Sequence, residues 1–457
     1  MENFSALALD PALGQSLESL GYSTMTPVQA QSLPAVLAGR DLIAQAPTGS
    51  GKTVAFALGL LQRLDAGLVR PQALVLCPTR ELADQVAKVI RRLASGIPNV
   101  KVLLLTGGVA LAPQMASLRK DSHVIVGTPG RVQEMLRRKV LHLAHVRTLV
   151  LDEADRMLDM GFEEPIREIV GRTPATRQTL LFSATWPEAI RAIGRDLLRD
   201  PLEVTVAPAM AQASVEQRFF EVELADKPAL LAAILHEYQP ESSVVFCNTR
   251  RDVDAVAAAL GTAGISALAL HGDIDQRDRD EVLVRFANRS CRVLVASDVA
   301  ARGLDIQELA AVINYELPPD PDIYLHRIGR TARAGQSGLA LSLVTPREMP
   351  RALALETRQG APLAWTRASP AAGGPARSLP AAMVTLRLDA GRTDKMRPGD
   401  ILGALTGEAG LPAEAVGRID VFPTRCYVAI RRADANRALQ RLQAGRIKGR
   451  NVRVARL

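Results

Sequence analysis

The stretch DLIAQAPTGSGKTVAFALGLLQRL (41–64) decides the fold, because an apolar run, a Gly-rich loop and a long apolar segment follow one another directly. A strand that passes through such a loop into a helix is typical of a parallel α/β sheet. The loop APTGSGKT (46–53) matches the phosphate-loop pattern, except that Ala46 occupies the position of the usual first Gly. The stretch therefore predicts a nucleotide-binding α/β domain, with a Gly-rich turn before a helix as the alternative.

Each residue type in this loop suits one part of a nucleoside triphosphate. Gly49 and Gly51 allow backbone N–H groups to approach the phosphates. Lys52 is expected to reach the β and γ oxygens, and Thr53 to offer its hydroxyl to Mg²⁺. The loop residues predicted to bind the nucleotide are Ala46, Thr48, Gly49, Ser50, Gly51, Lys52 and Thr53.

Short apolar runs recur along the chain in two series, separated by longer amphipathic stretches. The first series is DLIAQ, ALVLC, KVLLL, HVIVG, TLVLD and TLLFS, and the second is SVVFC, ALAL, RVLVA, AVINY and LALSLV. Polar, charged or Gly-rich residues follow most of the runs, and the carboxyl ends of parallel strands are where such sheets bind ligands. We therefore expect two parallel α/β domains, each with its active edge at the strand ends.

Two breaks divide the chain into three domains. APAMAQAS (207–214) is small and nearly uncharged, and residues 359–380 are rich in Ala, Pro and Gly, so both are predicted to be flexible connectors. The resulting domains are 1–206, 215–358 and 381–457.

The last domain shows the order βαββαβ. Its predicted strands are MVTLRL, IDVF, CYVAI and VRVARL, and its helical stretches lie near 398–408 and 433–444. This order predicts a small α+β domain with a four-stranded sheet. Residues 381–457 carry 15 Lys and Arg against 7 Asp and Glu, which accounts for the whole net charge of +8, since residues 1–380 carry 41 of each. Such a surplus indicates a polyanion-binding module, with a solvated basic face as the alternative.

The totals exclude several classes of protein. The chain of 457 residues is 47% hydrophobic, and no apolar run approaches the roughly 18 residues that span a bilayer. Its four cysteines are far apart and show no metal-ligand spacing. We expect a monomeric protein of the cytoplasm with reduced, buried cysteines.

A second acidic motif supports the nucleotide site. TLVLDEAD (148–155) ends an apolar strand in carboxylates, which are costly to bury without a cation. Asp152 is the predicted Mg²⁺ partner, and Glu153 the residue that orients or deprotonates the attacking water. A buried salt bridge is the alternative.

With these motifs in place, residues from about 4 to 350 resemble the DEAD-box RNA helicases in order and spacing. GYSTMTPVQ (21–29), with Phe4 upstream, resembles the adenine-reading Q motif of the family. The resemblance implies that Gln29 pairs with adenine, that Phe4 stacks on it with Tyr22 nearby, and that the nucleotide is ATP. From the residues alone, an ordinary helix-start residue after Thr26 and Pro27 is the favoured interpretation of Gln29.

The same resemblance implies two RecA-like domains in tandem followed by an RRM-like domain. SAT (183–185) resembles the motif that couples the DEAD carboxylates to domain closure, which implicates Asp155, Ser183 and Thr185. A Ser/Thr turn at a strand end is the alternative. The motifs PTREL, TGG, TPGR, NTR and QRDR hold one RNA strand in the family. The residues implied are Arg80, Gly107, Gly108, Thr128, Arg131, Thr249 and Arg279. Taken singly, helix N-caps and surface charges are the favoured interpretation, and only a common sheet edge favours RNA contact.

YLHRIGRTARAG (324–335) places Arg327, Arg330 and Arg333 at intervals of three, which on a helix predicts one basic face. By resemblance, Arg330 and Arg333 reach the γ-phosphate as arginine fingers, and His326 couples the site to neighbouring motifs. Asp305 of ARGLD is implied to contact the ribose. A solvated basic stripe is the alternative.

The basic domain resembles the RNA-binding domain of the DbpA subgroup, notably in KMRPGDILGALTGEAGL (395–411) and GRIKGRNVRVARL (445–457). In that subgroup the domain recognises a hairpin of 23S rRNA, and the enzyme acts in assembly of the large (50S) ribosomal subunit, so pre-50S particles are the implied partner. Its third strand offers Tyr427 but no run of aromatics, so we expect Arg-rich loops or helix edges to contact the RNA.

Two functions are compatible with these motifs. The first is an ATP-dependent RNA helicase that hydrolyses ATP to ADP and phosphate and opens short duplexes near its anchoring hairpin. The second is an ATP-gated RNA clamp or assembly scaffold with little strand separation.

Overall fold

The computed structural model describes residues 3–47, 49–120, 122–186, 188–206, 215–301, 309–331, 338–367, 378–407 and 410–457. Within these ranges, residues up to Val206 form one unit and residues from Val215 onward form a second. No helix in the described ranges is both long and apolar enough to cross a bilayer. The four cysteines are buried and carry free thiols, as predicted.

The first domain is built on seven parallel strands. They are β1 (Leu42–Gln45), β2 (Ala73–Leu76), β3 (Val102–Leu105), β4 (Val124–Gly127), β5 (Thr148–Leu151), β6 (Gln178–Ser183) and β7 (Leu202–Thr205). Their order across the sheet is β3-β4-β2-β5-β6-β1-β7. Successive residues pack in different clusters, since Val75 lies in one core and Leu74 and Leu76 in the other. The sheet is therefore buried on both faces.

Nine helices of the described residues belong to this domain. They are α1 (Pro11–Ser19), α2 (Pro27–Leu37), α3 (Lys52–Gln62), α4 (Arg80–Leu93), α5 (Leu111–Leu118), α6 (Pro129–Arg137), α7 (Ala154–Asp159), α8 (Glu163–Val170) and α9 (Glu188–Leu197).

The second domain contains a six-stranded parallel sheet. Its strands are β8 (Val215–Glu221), β9 (Ser243–Cys247), β10 (Ala267–Leu270), β11 (Val293–Ser297), β12 (Ala311–Asn314) and β13 (Gly338–Val344), in the order β10-β11-β9-β12-β13-β8. Its helices are α10 (Lys227–Tyr238), α11 (Arg250–Thr262), α12 (Gln276–Ala287), α13 (Asp298–Ala301), α14 (Pro321–Ile328) and α15 (Met349–Gln359).

The C-terminal domain has the predicted βαββαβ order. It consists of β14 (Met383–Leu388), α16 (Pro398–Thr406), β15 (Val416–Val421), β16 (Cys426–Arg431), α17 (Ala435–Ala444) and β17 (Val454–Arg456). The four strands are antiparallel in the order β15-β16-β14-β17. The predicted fold class is therefore confirmed for all three domains. Glu408, where the first helical stretch was predicted to end, lies outside the described residues.

All eleven predicted strands of the two parallel sheets are present, but two more were missed. β7 and β8 are edge strands with the sequences LEVT and VEQRFFE. Each is flanked by a neighbouring strand of its sheet on one side only, and polar residues interrupt its apolar ones. Neither therefore forms the continuous apolar run by which the inner strands were found.

The predicted connector 359–380 is fastened at both of its described ends to the second domain. Near its start, Phe219 N in β8 donates to Ala364 O at 2.9 Å, and Thr366 N donates to Phe219 O at 2.8 Å. Near its end, Leu379 packs in the second domain's core and its N–H donates to Gly264 O at 3.0 Å, just before β10. Since β8 and β10 are the two edges of the sheet, these residues cover both edges. Residues 368–377 of this connector, and the whole of connector 207–214, lie outside the described residues.

Candidate functional site

The phosphate loop connects β1 to α3 and contains two glycines in the left-handed region. The backbone angle φ is +81° at Gly49 and +95° at Gly51, which directly precedes α3. This region favours glycine because it has no Cβ. Lys52 is 6% exposed, and its Nζ donates to Ala46 O at 2.7 Å. The ammonium group therefore lies against the loop, beside the N-terminus of α3 where Thr53 occupies the first turn and anions are favoured.

Gln29 fastens the start of α2 to this loop. Its Oε1 accepts from Thr26 N at 2.8 Å, and its Nε2 donates to Gly51 O at 3.0 Å. The side chain is 3% exposed. A primary amide has a second N–H and a second lone pair, so pairing with adenine remains compatible with these bonds. Gln29 thus links the predicted base site to the glycine that shapes the phosphate site.

A Gly51→Ala substitution is expected to raise the KM for ATP by about tenfold, because one strained residue costs of order 1–3 kcal/mol. The added Cβ would lie 2.5 Å from Gln29 Nε2, at a backbone φ of +95°. Steady-state ATPase assays measure the effect. Gly14→Ala in α1 is the control, because its Cβ would meet nothing within 4 Å. An unchanged KM in Gly51→Ala would contradict the assignment of the loop.

The two aromatic residues predicted to lie near adenine differ in exposure. Phe4 is 5% exposed and belongs to the core of the first domain, whereas Tyr22 is 38% exposed. Stacking on a base requires an open ring face. In this structure Phe4 packs in the core and Tyr22 is accessible, and the role of either ring toward adenine stays a prediction.

Asp152 and Glu153 follow β5 directly and are 3% and 4% exposed. Burial raises the pKa of Asp152 to about 7, although the nearby Lys52 ammonium acts in the opposite direction. A carboxylate that is this costly to ionise favours a cation as its partner. The position of Asp152 thus fits the predicted metal role.

Glu153 adopts a backbone conformation that is unusual for a residue with a side chain. Its φ and ψ are both 53°, in the left-handed region, at a cost of about 1–2 kcal/mol. Its Oε2 accepts from Arg156 Nη1 at 2.9 Å, and both side chains are buried. The alternative interpretation of this motif, a buried salt bridge, is therefore present within it, but the acid that forms it is Glu153, and the metal role of Asp152 stays a prediction.

Asp155 connects the DEAD motif to the SAT motif. Its Oδ2 accepts from Thr185 N and Thr185 Oγ1, both at 2.8 Å, and from Ala184 N at 3.2 Å. Burial alone would raise the pKa of this carboxyl, but the bonds from Thr185 hold the pKa below its usual value. Ser183 Oγ donates to Thr185 O at 2.7 Å. The structure therefore brings the three predicted coupling residues of this domain together.

The residues present fit a Mg²⁺ ion that is held largely by substrate phosphates. In the described part of the chain, no group of three or more His, Cys, Asp or Glu side chains could bind a metal alone. Ser50 Oγ is buried and has no hydrogen-bond partner among the described residues. Buried hydroxyl groups normally have a partner, so a phosphate or water oxygen of a bound nucleotide would satisfy this one. Mg²⁺ commonly takes one or two protein carboxylates and completes its coordination with phosphate and water.

Arg131 ties two of the predicted RNA-contacting loops together. Its guanidinium donates to Gln114 Oε1 at 3.0 Å and to Val109 O at 3.1 Å, and pairs with Glu134. Gln114 Nε2 in turn donates to Thr106 O at 3.0 Å. Arg131 of the TPGR motif is thus linked through Gln114 to Thr106 of the TGG motif. It therefore has a positioning role besides its predicted contact with RNA.

The other predicted RNA residues of this domain lie at neighbouring strand ends. Thr128 occupies the N-cap position of α6 after β4, Gly107 and Gly108 follow β3, and Arg80 begins α4 after β2. Since β3, β4 and β2 are adjacent and parallel, these residues share one edge of the sheet. The prediction that these residues form one RNA-contacting surface depended on such a common edge.

In the second domain, the predicted basic face of YLHRIGRTARAG is wrong. Helix α14 ends at Ile328, so Arg327 lies on the helix and Arg330 lies beyond it. Arg327 does not face solvent either, because it is 2% exposed. Gly329 follows the helix directly and ends the 3.6-residue period on which the expected face relied.

Arg327 joins the ends of three strands. Its guanidinium donates to Asp298 Oδ1 and Oδ2 at 2.7 Å each, to Asn248 Oδ1 and Asn314 Oδ1 at 3.0 Å each, and to Glu316 O at 2.8 Å. Its Cζ lies 4.9 Å from the centroid of the Phe246 ring. These groups come from the carboxyl ends of β9, β11 and β12, which carry NTR and SDVAARGLD. Arg327 therefore fixes the active edge of the second sheet.

The remaining predicted residues of this domain lie on the same elements. Thr249 caps α11 by accepting from Asp252 N at 3.2 Å, and Arg279 of α12 donates to Ala300 O at 2.7 Å. His326 lies in the last turn of α14. The predicted site residues Thr48, Asp305 and Arg333 lie outside the described residues.

One face of the C-terminal sheet is covered by the second domain. Thr385, Tyr427 and Ala429 point away from their own core, yet they are 0%, 2% and 0% exposed. Asn288, at the end of α12, donates through Nδ2 to Thr385 Oγ1 at 2.9 Å. Tyr427 Oη donates to Glu281 Oε2 at 3.5 Å. Tyr427 is therefore buried against a protein surface and is not free to stack on a base.

Comparison with known proteins identifies the family. Family models match in this order along the chain: DEAD/DEAH box helicase at residues 26–193, helicase conserved C-terminal domain at 226–335, and DbpA RNA binding domain at 385–456. The Escherichia coli K12 protein named ATP-dependent RNA helicase DbpA is 54% identical over 455 residues, which is 99% of each chain. The chain belongs to the DEAD-box family of ATP-dependent RNA helicases. It is therefore an ATP-using enzyme whose partner is RNA.

Other relatives share the two parallel-sheet domains of this DEAD-box helicase. The Bacillus cereus protein named DEAD-box ATP-dependent RNA helicase CshA is 45% identical over 349 residues, which is 76% of this chain and 66% of that protein. A solved structure of Saccharomyces cerevisiae Dbp5 bound to RNA and ADP BeF3 is 30% identical, with a TM-score of 0.72 over 81% of this chain and 96% of that one. The family predicted from the motifs and its fold are thereby confirmed.

Two residues of the helicase site were missed from the sequence. Gln114 lies in α5, six residues after the TGG motif, and no pattern singled it out. Arg156 lies three residues after Glu153, a spacing at which helical side chains interact, so this pair could have been found.

Proposed function

We propose that this helicase uses ATP and Mg²⁺ to remodel short RNA duplexes in 23S rRNA during assembly of the large ribosomal subunit. It acts as a cytoplasmic monomer, and its C-terminal domain directs it to an rRNA hairpin on pre-50S particles. The observation that carries the proposal is the match of residues 385–456 to the DbpA RNA binding domain. Residues 381–457 also hold the whole net charge of +8, as a polyanion-binding module requires.

In the nucleotide site, each buried group has a separate task. Lys52 neutralises phosphate charge at the loop, and Thr53 and Asp152 hold Mg²⁺, which when bound offsets the charge on the phosphates. Glu153 orients the attacking water and accepts its proton. Arg330 and Arg333 stabilise charge on the transferred phosphoryl group. Gln29 selects the base.

The two RecA-like domains grip RNA without reading its sequence. The glycines, Thr128 and Arg80 at the strand ends of the first domain supply backbone N–H groups, a hydroxyl and a guanidinium, which suit sugar and phosphate oxygens. Thr249 and Arg279 contribute from the second domain. Closure of the domains around ATP bends the bound strand and opens a short duplex.

The C-terminal domain selects the RNA through exposed loops. Its sheet face is covered at Thr385 and Tyr427, so that face is closed to bases. Two basic loops remain exposed, and Lys448 Nζ donates to Lys395 O at 2.8 Å, which holds them side by side. Their exposed cations are Arg392, Lys395, Arg397, Arg446, Lys448 and Arg450. Such a cluster suits a folded RNA whose phosphates converge.

A fragment-preference assay tests this assignment. ATPase stimulation is measured with separate fragments of 23S rRNA, using the full chain and a chain that lacks residues 381–457. We expect one hairpin fragment to stimulate the full chain, and this preference to disappear on truncation. Because truncation uncovers Asn288, Lys395→Glu in the full chain is the companion variant, and Arg347→Glu, exposed in the second domain, is its control.

Preference that survives both changes would refute the assignment of specificity to this domain. Strand displacement is then measured on an RNA that carries the preferred hairpin and a short flanking helix. ATP turnover without displacement would indicate an RNA clamp in place of duplex remodelling.

A further inference from the structure

We propose that Arg156 is a positioning residue for ATP hydrolysis, which holds the carboxylate and the backbone of Glu153 in the geometry that the reaction needs. The inference rests on the proposed role of Glu153 toward the attacking water. In this proposal Arg156 acts through Glu153 and does not itself contact the substrate.

The backbone of Glu153 requires an external restraint. β5 ends at Leu151 and α7 begins at Ala154, so the chain turns from strand to helix at Asp152 and Glu153. Glu153 makes this turn with φ and ψ of 53° each. A residue with a Cβ stays in this region only where its surroundings determine its conformation. Part of that determination is local, since Met157 N donates to Glu153 O at 3.2 Å.

Arg156 supplies a second restraint, through the side chain. Its Nη1 lies 2.9 Å from Glu153 Oε2, and the side chains are 10% and 6% exposed. Arg156 lies one helical turn after Glu153, so the short helix α7 carries the guanidinium back over the turn. A charge-assisted bond in a buried site has a narrow range of geometry. It therefore restricts where the Glu153 carboxylate can point.

Arg156 also links Glu153 to the coupling motif. Its backbone N–H donates to Asp155 Oδ1 at 3.0 Å, while Asp155 Oδ2 accepts from Thr185. One residue thus bonds to the water-orienting carboxylate through its side chain and to the coupling carboxylate through its backbone. A displacement of α7 during coupling would be transmitted to Glu153 through this pair.

Charge supports the same conclusion. DEAD places Asp152, Glu153 and Asp155 within four residues, and they are 3%, 4% and 6% exposed. Burial acts to raise the pKa of Asp152 and of Asp155, and the nearby Arg156 guanidinium acts in the opposite direction on both. Arg156 is thus a buried cation that lies among three buried carboxylates and partly offsets their charge.

A double-mutant cycle distinguishes positioning from a merely structural ion pair. The variants are Arg156→Met, Glu153→Gln and the two combined, in the full chain with saturating RNA. Arg156→Met is expected to lower kcat for ATP about 10- to 100-fold, as misplacement of a catalytic group does, with KM for ATP within about twofold. In the Glu153→Gln background it is expected to lower kcat less than about twofold, since the group it positions is already disabled.

Arg156→Lys provides the conservative variant. It keeps a cation but not the planar fork, so kcat is expected to fall by about three- to tenfold, between the native chain and Arg156→Met. If Arg156→Met does not fold, Arg156→Lys replaces it in the double-mutant cycle. Its effect on kcat is again expected to be smaller in the Glu153→Gln background than in the native chain. Arg167→Met on α8 is the control, because Arg167 is 40% exposed and pairs with Glu163 and Asp196 at the surface. It is expected to leave kcat unchanged.

The inference would be overturned by full kcat in Arg156→Met, or by an equal fold-loss in the native and Glu153→Gln backgrounds. A rise in KM that accounts for the whole effect of Arg156→Met would also overturn it, because the residue would then act on binding. Full hydrolysis in Glu153→Gln would instead refute the proposed role of Glu153, and is recognised separately because it does not involve Arg156.

Discussion

Replacement of Glu153 by Gln is expected to lower ATP hydrolysis about 10²- to 10⁴-fold, the range for loss of a general base. Gln has nearly the same shape as Glu, but its amide cannot accept the proton from water. The groups expected to bind ATP lie elsewhere, with the Gly51 turn fixed by Gln29 and the Lys52 ammonium held against Ala46 O. We therefore expect ATP affinity to stay within a few-fold of the native value.

Single-turnover hydrolysis and equilibrium binding of a fluorescent ATP analogue measure the two effects separately. Glu164→Gln is the matched control, because Glu164 is exposed on α8 and the change removes the same charge. Hydrolysis within tenfold of native in Glu153→Gln would contradict the role assigned to Glu153. A large loss of ATP affinity would show that Glu153 supports the binding site.

Replacement of Arg327 by Met is expected to destabilise the second domain by about 3 kcal/mol or more, as removal of one partner from a buried ion pair does. Arg327 is 2% exposed, and Met would fill much of its volume but donate no hydrogen bond. Asp298 would lose both of its bonds to the guanidinium, and Asn248 and Asn314 would each lose one. Buried acceptors without donors account for most of the expected cost.

Hydrogen exchange of the full chain locates this effect, since a chain of several domains does not unfold in one step. Amides of β9 and β12 are expected to lose protection, while those of β2 and β5 in the first domain keep theirs. Arg358→Met is the control, because its pair with Asp322 is more than half exposed on the arginine side, at 56%. Unchanged protection of β9 and β12 in Arg327→Met would contradict the role of Arg327 as the link between strand ends.

The inner strands and the nucleotide loop could be predicted because their signals are local. An inner parallel strand is buried on both faces and therefore appears as a continuous apolar run, as ALVL does in β2. The edge strands β7 and β8 lack that signal. The loop was found because Gly49 and Gly51 supply positive φ, a requirement that a single residue type meets.

Arginine roles could not be predicted, because they depend on what surrounds each side chain. Arg327 and Arg330 are three residues apart in one motif, yet Arg327 is buried among strand ends and Arg330 lies beyond the helix. The sequence shows the cation but not its acceptors, which come from residues such as Asp298 and Asn248, up to 79 positions away. The same limit applies to Arg131, whose acceptor Gln114 belongs to no motif.

By itself, the sequence determined the class of fold, the family and the residues around the phosphate loop, because apolar period, glycine placement and motif order are properties of neighbouring residues. Tertiary structure decided which of the predicted groups are accessible. It buried Phe4 in a core, Tyr427 against α12 and Arg327 among distant strand ends. Burial depends on which distant surfaces meet, and such surfaces are brought together only when the chain folds.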